Sequence, residues 1–214
     1  MKRFVQSSAI CSALLLALLL VGPGHLYALS ISFVPDAQDV FFGDQATVDV
    51  LVSDLGMDQA PSLGSFDLTL GFDPTILAFN SLVFGDPVLG DQLDVFGLGS
   101  NPMDAFEIVP GAVNMYEVSL DFPWDLHDFQ ADTFVLASLK FDTLALGTSG
   151  LDILPGLIPP VFADAWGEPL DYSADPGSIT VIPRESTDPV PEPGTILLLG
   201  SGLLGLAGLR KKLG

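Results

Sequence analysis

Residues 46–53 alternate strictly, with Val48, Val50 and Val52 on one side and Thr47, Asp49 and Ser53 on the other. Residues 65–72 repeat the pattern, placing Phe66, Leu68, Leu70 and Phe72 opposite Ser65, Asp67, Thr69 and Gly71. A period of two sets one strand face against a core and the other toward water, so Thr69 is expected at the surface. Further runs predict strands at 29–34, 77–84, 105–109, 113–120, 133–144, 151–154 and 178–182. Turn chemistry separates many of them: Phe42-Gly43-Asp44, Asp73-Pro74, Val109-Pro110-Gly111, Gly147-Thr148-Ser149-Gly150 and Asp175-Pro176-Gly177. Outside the two tails no long stretch has helical period, and no repeat of fixed length is evident. Many short strands between such turns predict an all-β fold, a single β-sandwich or jelly roll over residues 29–182. Its core is expected to hold Val48, Val50, Val52, Phe66, Leu68, Leu70, Leu139 and Phe141, each worth ~1.5–3 kcal/mol when fully buried.

The tails break this pattern. Met1-Lys2-Arg3 precedes an apolar run over residues 9–21; Gly22-Pro23-Gly24 then stops a helix, and Leu26-Tyr27-Ala28 offers a small residue for cleavage. That is the layout of a secretory signal peptide, predicting an N-terminal signal helix within residues 1–28 and removal after Ala28. The run is too short at ~1.5 Å per residue to cross a ~30 Å hydrocarbon core as a permanent anchor. At the other end, the proline-rich residues 183–193 lead to an apolar run over 195–209 closed by Arg210-Lys211-Lys212. This predicts a short C-terminal transmembrane helix within residues 194–214, thinned by Gly200, Gly202, Gly205 and Gly208, with both basic tips on the cytoplasmic side. Pro191-Glu192-Pro193, the Gly-rich apolar run and the basic end together resemble a PEP-CTERM sorting signal. The resemblance implies cutting by an exosortase near Pro191, Glu192 and Pro193, in a Gram-negative bacterium whose signal peptidase and exosortase act during export. The membrane is then a transient partner, held through the tail before processing, and the destination is the cell surface or extracellular matrix.

Charge narrows the partners. The chain has 27 acids and 7 basic residues, and between the tails only Lys140 and Arg184 oppose those acids. Such a surface stays soluble, repels anionic headgroups, and lacks the Lys and Arg a nucleic-acid binder needs. Hydrophobic residues at 49% and charged ones at 16% exclude a disordered chain, while 22 Gly and 17 Pro fit a turn-rich fold. The single cysteine, Cys11, lies inside the signal run; a lipoprotein cysteine would follow it. Removal of the signal excludes disulfides, a thiol nucleophile and thiolate metal sites.

Little is left for catalysis. His127 is the only histidine beyond the signal segment, flanked by Asp125 and Asp128, and no Gly-x-Ser-x-Gly turn presents a serine. One histidine without cysteine does not suit zinc, and no carboxylate pair stands out among so many acids as a glycosidase pair. The chain is therefore not expected to be an enzyme, and no cofactor is expected apart from calcium. Asp121, Asp125, Asp128 and Asp132 crowd one loop and offer oxygen ligands to calcium, but they lack Asp-x-Asp-x-Asp-Gly spacing, which favours solvated acids. Phe122 and Trp124 in that loop, with Phe129, and Trp166 in a later turn are candidates for stacking on sugar faces or for capping the ends of the sandwich.

Gly43-Asp44-Gln45-Ala46-Thr47-Val48-Asp49-Val50, then residues 64–79, then Ala137-Ser138-Leu139-Lys140-Phe141-Asp142-Thr143-Leu144 before Gly147-Thr148-Ser149, and finally Gly177-Ser178-Ile179-Thr180-Val181, resemble a cohesin domain. The resemblance implies a nine-stranded jelly-roll sandwich related to carbohydrate-binding modules, and dockerin binding. Residues 86–104 and 121–132 are this chain's own loops. The expected function is non-catalytic binding or structure at the cell surface: carbohydrate (exopolysaccharide) binding or adhesion in a biofilm matrix. The alternatives are a protein-binding module with a dockerin-like partner and, more remotely, a glycan hydrolase.

Overall fold

The computed structural model describes residues 28–56, 62–156, 158–184 and 201. The chain divides into two compact units, Met1–Pro183 and Arg184–Gly214, and the first holds all of the strands among the described residues. The predicted signal helix and C-terminal span lie outside the described residues, save for Ala28 and Ser201. Among the described residues no helix is long and apolar enough to cross a membrane.

The strands are β1 (Ala28–Val34), β2 (Ala37–Phe41), β3 (Gln45–Ser53), β4 (Leu63–Gly71), β5 (Leu77–Phe84), β6 (Met103–Val109), β7 (Ala112–Val118), β8 (Phe134–Thr143), β9 (Gly147–Ile153), β10 (Val161–Asp164), β11 (Asp171–Ala174) and β12 (Gly177–Ile182), with one helix, α1 (Pro123–Phe129), among the described residues. They form two sheets. One has the order β11-β1-β3-β8-β5; the other runs β2-β12-β9-β4-β7-β6, with β10 also paired to β4. β1 and β2 are separated only by Pro35 and Asp36, yet they lie in different sheets, pairing in parallel with β11 and β12 respectively. Most other pairings are antiparallel, as the alternation requires.

The inner faces meet in one core. Ile31, Val48, Val50, Val52, Leu139 and Phe141 come from the first sheet, and Phe66, Leu68, Leu70, Val113, Met115, Leu151, Ile179 and Val181 from the second. All eight expected core residues are buried there. Phe141 packs edge-on against Phe72, ring centroids 5.1 Å apart, which joins the two sheets near the C-terminal end of β4.

The structure departs from the sequence reading at several points. Among the described residues twelve strands form where the sequence runs predict nine, the additions being β2, β10 and β11. Gly147-Thr148-Ser149-Gly150, read as a turn, opens β9 instead, because residues 147–151 pair with β12. Residues 123–129, read as loop, form α1 with Pro123 at its first position. Thr69, expected at the surface, is fully buried. Asn114 Nδ2 contacts Asp67, the Leu68 carbonyl and Thr69 on that outer face, and the Leu154 side chain lies over neighbouring Gly71.

Candidate functional site

The ends of β5 and β7 and the starts of β4, β6 and β8 share one end of the sandwich, as the β5–β8, β4–β7 and β6–β7 registers require. Two long connections cover it, residues 85–102 and residues 119–133 with α1. Neither has a strand to hold it, so side chains satisfy its backbone groups. Asp86 accepts from the Val88, Leu89 and Val135 N–H groups at 2.8, 2.9 and 3.0 Å. Burial pushes the Asp86 carboxyl up, but those three donors outweigh it and its pKa falls below the ordinary 3.8. Gln130, just after α1, donates to the Leu63 and Gln92 carbonyls and accepts from the Leu63 N–H at 2.7 Å. Asn101 donates to the Leu93 carbonyl and accepts from the Leu120 N–H, joining both connections.

Beneath them lies a carboxyl cluster. Glu117 continues the inward-facing series Val113, Met115 of β7 and is 1% exposed. Its Oε1 accepts from Asn101 Nδ2 at 2.9 Å. Burial, with the carboxylates of Asp91 and Asp94 beside it, pushes its pKa from the ordinary 4.5 to about 8, against the Asn101 hydrogen bond. At neutral pH Glu117 is thus a protonated acid that donates to Asp91. Asp121, whose Oδ2 accepts from the Val95 N–H at 2.8 Å, is raised by burial and then by Asp94, Asp125 and Asp91.

The aromatic candidates lie above this cluster. Phe122 and Trp124 stack nearly parallel, centroids 4.8 Å apart and 13° between planes. Phe129 meets Phe96 edge-on at 5.9 Å. All four stay open to solvent: Phe96 54%, Phe122 61%, Trp124 55% and Phe129 63% exposed. Leu98 and Leu120, from the same two connections, are exposed as well. Trp166 sits in the β10–β11 turn at this end, where the Ala165 N–H donates to Ser62; it is 71% exposed.

The four aspartates weighed as calcium candidates do not come together as one group: Asp121 lies by Asp91, Asp94 and Glu117 and also feels Asp125 of α1, Asp128 is exposed on α1, and Asp132 turns toward Gly56. Among the described residues no group of three His, Cys, Asp or Glu side chains is placed to hold a metal ion. His127 borders a cleft of about 250 Å³ with Ser62, Gln130 and Asp132, but among the described residues no hydrogen bond joins it to a serine or a carboxylate. Ala28 is the exposed first residue of β1, and Leu29 beside it is fully buried. Cleavage after Ala28 would therefore leave the core intact. Pro191, Glu192 and Pro193 lie outside the described residues.

Sequence reasoning missed Glu117 and Phe96. The signal for Glu117 was present, since Val113, Met115 and Glu117 share one strand face. Phe96 had none, because its loop has no period and its partner Phe129 lies on a distant segment.

Comparison with known proteins matches the tail and the sandwich separately. Residues 189–212 match the PEP-CTERM protein-sorting motif. The tail carries a sorting motif. It implies export and membrane-anchored processing by an exosortase in a Gram-negative bacterium. The sandwich resembles a type I cohesin from Clostridium thermocellum solved in a cohesin–dockerin complex, with a TM-score of 0.57, 12% identity, and 76% of this chain and 99% of that one covered. The sixth cohesin of scaffoldin B from Acetivibrio cellulolyticus, solved with a dockerin, gives 0.56 at 19% identity over 72% and 99%. A non-cellulosomal cohesin from Archaeoglobus fulgidus gives 0.53 at 14% identity over 74% and 94%. At these identities the likeness shows the fold, which is cohesin-like. No curated protein matches the sequence.

Proposed function

We propose that this protein is a non-catalytic binding module delivered to the cell surface, and that it binds a glycan of the extracellular matrix with the loop-covered end of its cohesin-like sandwich. The observation that carries the reading is the set of four exposed rings, Phe96, Phe122, Trp124 and Phe129, on connections braced from below by Asn101, Gln130 and Asp121. Two exposed ring pairs on the same two connections suit a ligand, because flat rings with few rotatable bonds cover the apolar faces of pyranoses. Residues 1–28 act as the signal peptide, 183–193 as the linker with the sorting tripeptide, and 194–214 as the temporary anchor. The mature chain ends near Pro191-Glu192-Pro193; an intact mass that includes Gly214 in surface-extracted protein would refute this part.

A second reading is favoured by the fold. Cohesins of the same architecture have been solved in complex with dockerins, and here the outer face of β6, β7 and β4 presents Asp104, Phe106, Tyr116 and Asp67 in neighbouring registers. On this reading that face holds a dockerin-like protein. Pull-down of the full-length chain with polysaccharides and with surface-protein extract, repeated with Trp124→Ala and Phe106→Ala, separates the two. The glycan reading expects polysaccharide capture that Trp124→Ala abolishes and Phe106→Ala spares. Release of reducing sugars during incubation would instead indicate a glycan hydrolase.

A further inference from the structure

In α1 the buried Leu126, 1% exposed, fixes the side turned to the protein. At about 100° per residue, Trp124 and Asp128 lie opposite Leu126, Asp125 stands to one side of them, and Phe129 follows about 60° from Leu126. Asp128 stands one turn from Trp124, and Phe129 one turn from Asp125. Two carboxylates therefore lie on an arc between two exposed rings, Asp128 exposed and Asp125 half-buried. Each ring is braced from beyond the arc, Trp124 by the stacked Phe122 and Phe129 by Phe96. The only Lys or Arg between the tails are Lys140, on β8 opposite Thr47, and Arg184.

We propose that this arc is a subsite for a cationic amino-sugar polymer, a glycan of glucosamine units with free amines; the proposal rests on the glycan-binding reading above. The ring faces cover the apolar sides of the pyranoses, and Asp125 and Asp128 accept hydrogen bonds from the ammonium groups. Charge complementarity decides the class. A polyuronate meets the field of an almost wholly acidic domain and is repelled, whereas a polyamine is drawn in. An exposed ion pair alone is weak, so the rings and both carboxylates act together, and polymer length multiplies the contact through repeated engagement.

The test is binding of the full-length chain in mild detergent to a glucosamine hexamer, its N-acetylated form, a neutral β-glucan hexamer, an alginate oligomer and a polylysine of similar length, each at low and high salt. The expected result is tightest binding to the glucosamine hexamer, weakened by salt, with no binding of alginate. Trp124→Ala and the double variant Asp125→Asn/Asp128→Asn should each weaken it by about tenfold or more. The double variant should also lose the salt dependence. Trp124 and Asp128 are exposed and Asp125 is half-buried, and unchanged melting of both variants separates lost binding from lost folding. Equal binding of acetylated and neutral hexamers, indifferent to the double variant, overturns amine selection and leaves the glycan reading standing. Polylysine binding as tight as the glucosamine hexamer and indifferent to Trp124→Ala overturns it as charge attraction alone. No binding of any sugar overturns the glycan reading itself.

Discussion

Replacing Glu117 by Gln removes a proton-linked charge from the inward face of β7 while keeping the shape of the protonated acid. The amide oxygen still accepts from Asn101 Nδ2, now 2.9 Å from Oε1, and the amide N–H donates to Asp91 as the acid proton does. The sign of the effect follows from the pKa, raised from 4.5 to about 8 chiefly by burial and then by Asp91 and Asp94. Below 4.5 both the folded and the unfolded chain carry the proton, and Glu117 stabilises as well as Gln. Between 4.5 and about 8 the unfolded chain releases it and the folded chain does not, so wild-type stability falls relative to the variant by about 1.4 kcal/mol per pH unit. Above about 8 both forms are ionised and the gap is constant. Summed over that window the gap reaches on the order of 2–5 kcal/mol. Urea unfolding of wild type and Glu117→Gln at half-unit steps from pH 4.5 to 9 measures it, and taking the difference cancels the contributions of the other acids. A gap that does not change with pH, or a Gln variant less stable than wild type at pH 7, would refute the buried protonated acid; the second result would also point to a cation held by the cluster.

Leu68→Ala should cost about 2–5 kcal/mol by opening a cavity in a fully buried site, and Thr69→Lys should also destabilise, because Thr69 has no route to water; thermal melts check both. Gly64→Ala should unseat β10, since a Cβ there collides with the backbone carbonyl of Asp164, and amide exchange at residues 161–164 should speed up. Asp86→Ala should cost about 1 kcal/mol by taking the acceptor from three backbone donors, of which Val88 and Leu89 can turn to water and Val135 is partly buried. Because the Asp86 pKa is lowered, that contribution is present above the ordinary 3.8 and fades as the pH falls through the lower folded value, so the gap to wild type should close in acid.

Strands that bury one face were legible because burial imposes alternation: the expected runs at 46–53 and 65–72 became β3 and β4, with Val48, Val50, Val52, Phe66, Leu68 and Leu70 all in the core. β2, β10 and β11 were not legible. Each has only four or five residues, too few to show a period even in β10, where Phe162 is buried, and each is held by backbone pairing to a partner distant in sequence. β9 hid behind glycine and serine, since Gly147 and Gly150 read as turn residues until β12 pairs with them. α1 buries Leu126 alone, so it shows no helical period, and its only cue was Pro123 at the start. Period two assigns a residue to a face but does not say what covers that face, which is why Thr69 was misplaced under Asn114 and Leu154. Of the loop-covered end, Phe122, Trp124 and the aspartates stood out by composition. Their pairing with Phe96 and the burial of Glu117 depend on two connections folding over each other, which no local pattern encodes.

The central claim is that ligand is held at the loop-covered end. Hydrogen exchange of the full-length chain with and without saturating polysaccharide tests it most directly, because the backbone reports where protection falls. Slower exchange is expected, confined to residues 93–101 and 119–130 and absent in Trp124→Ala. Protection on β4, β6 and β7 with these two connections unchanged would contradict it and move the binding surface to the sheet face.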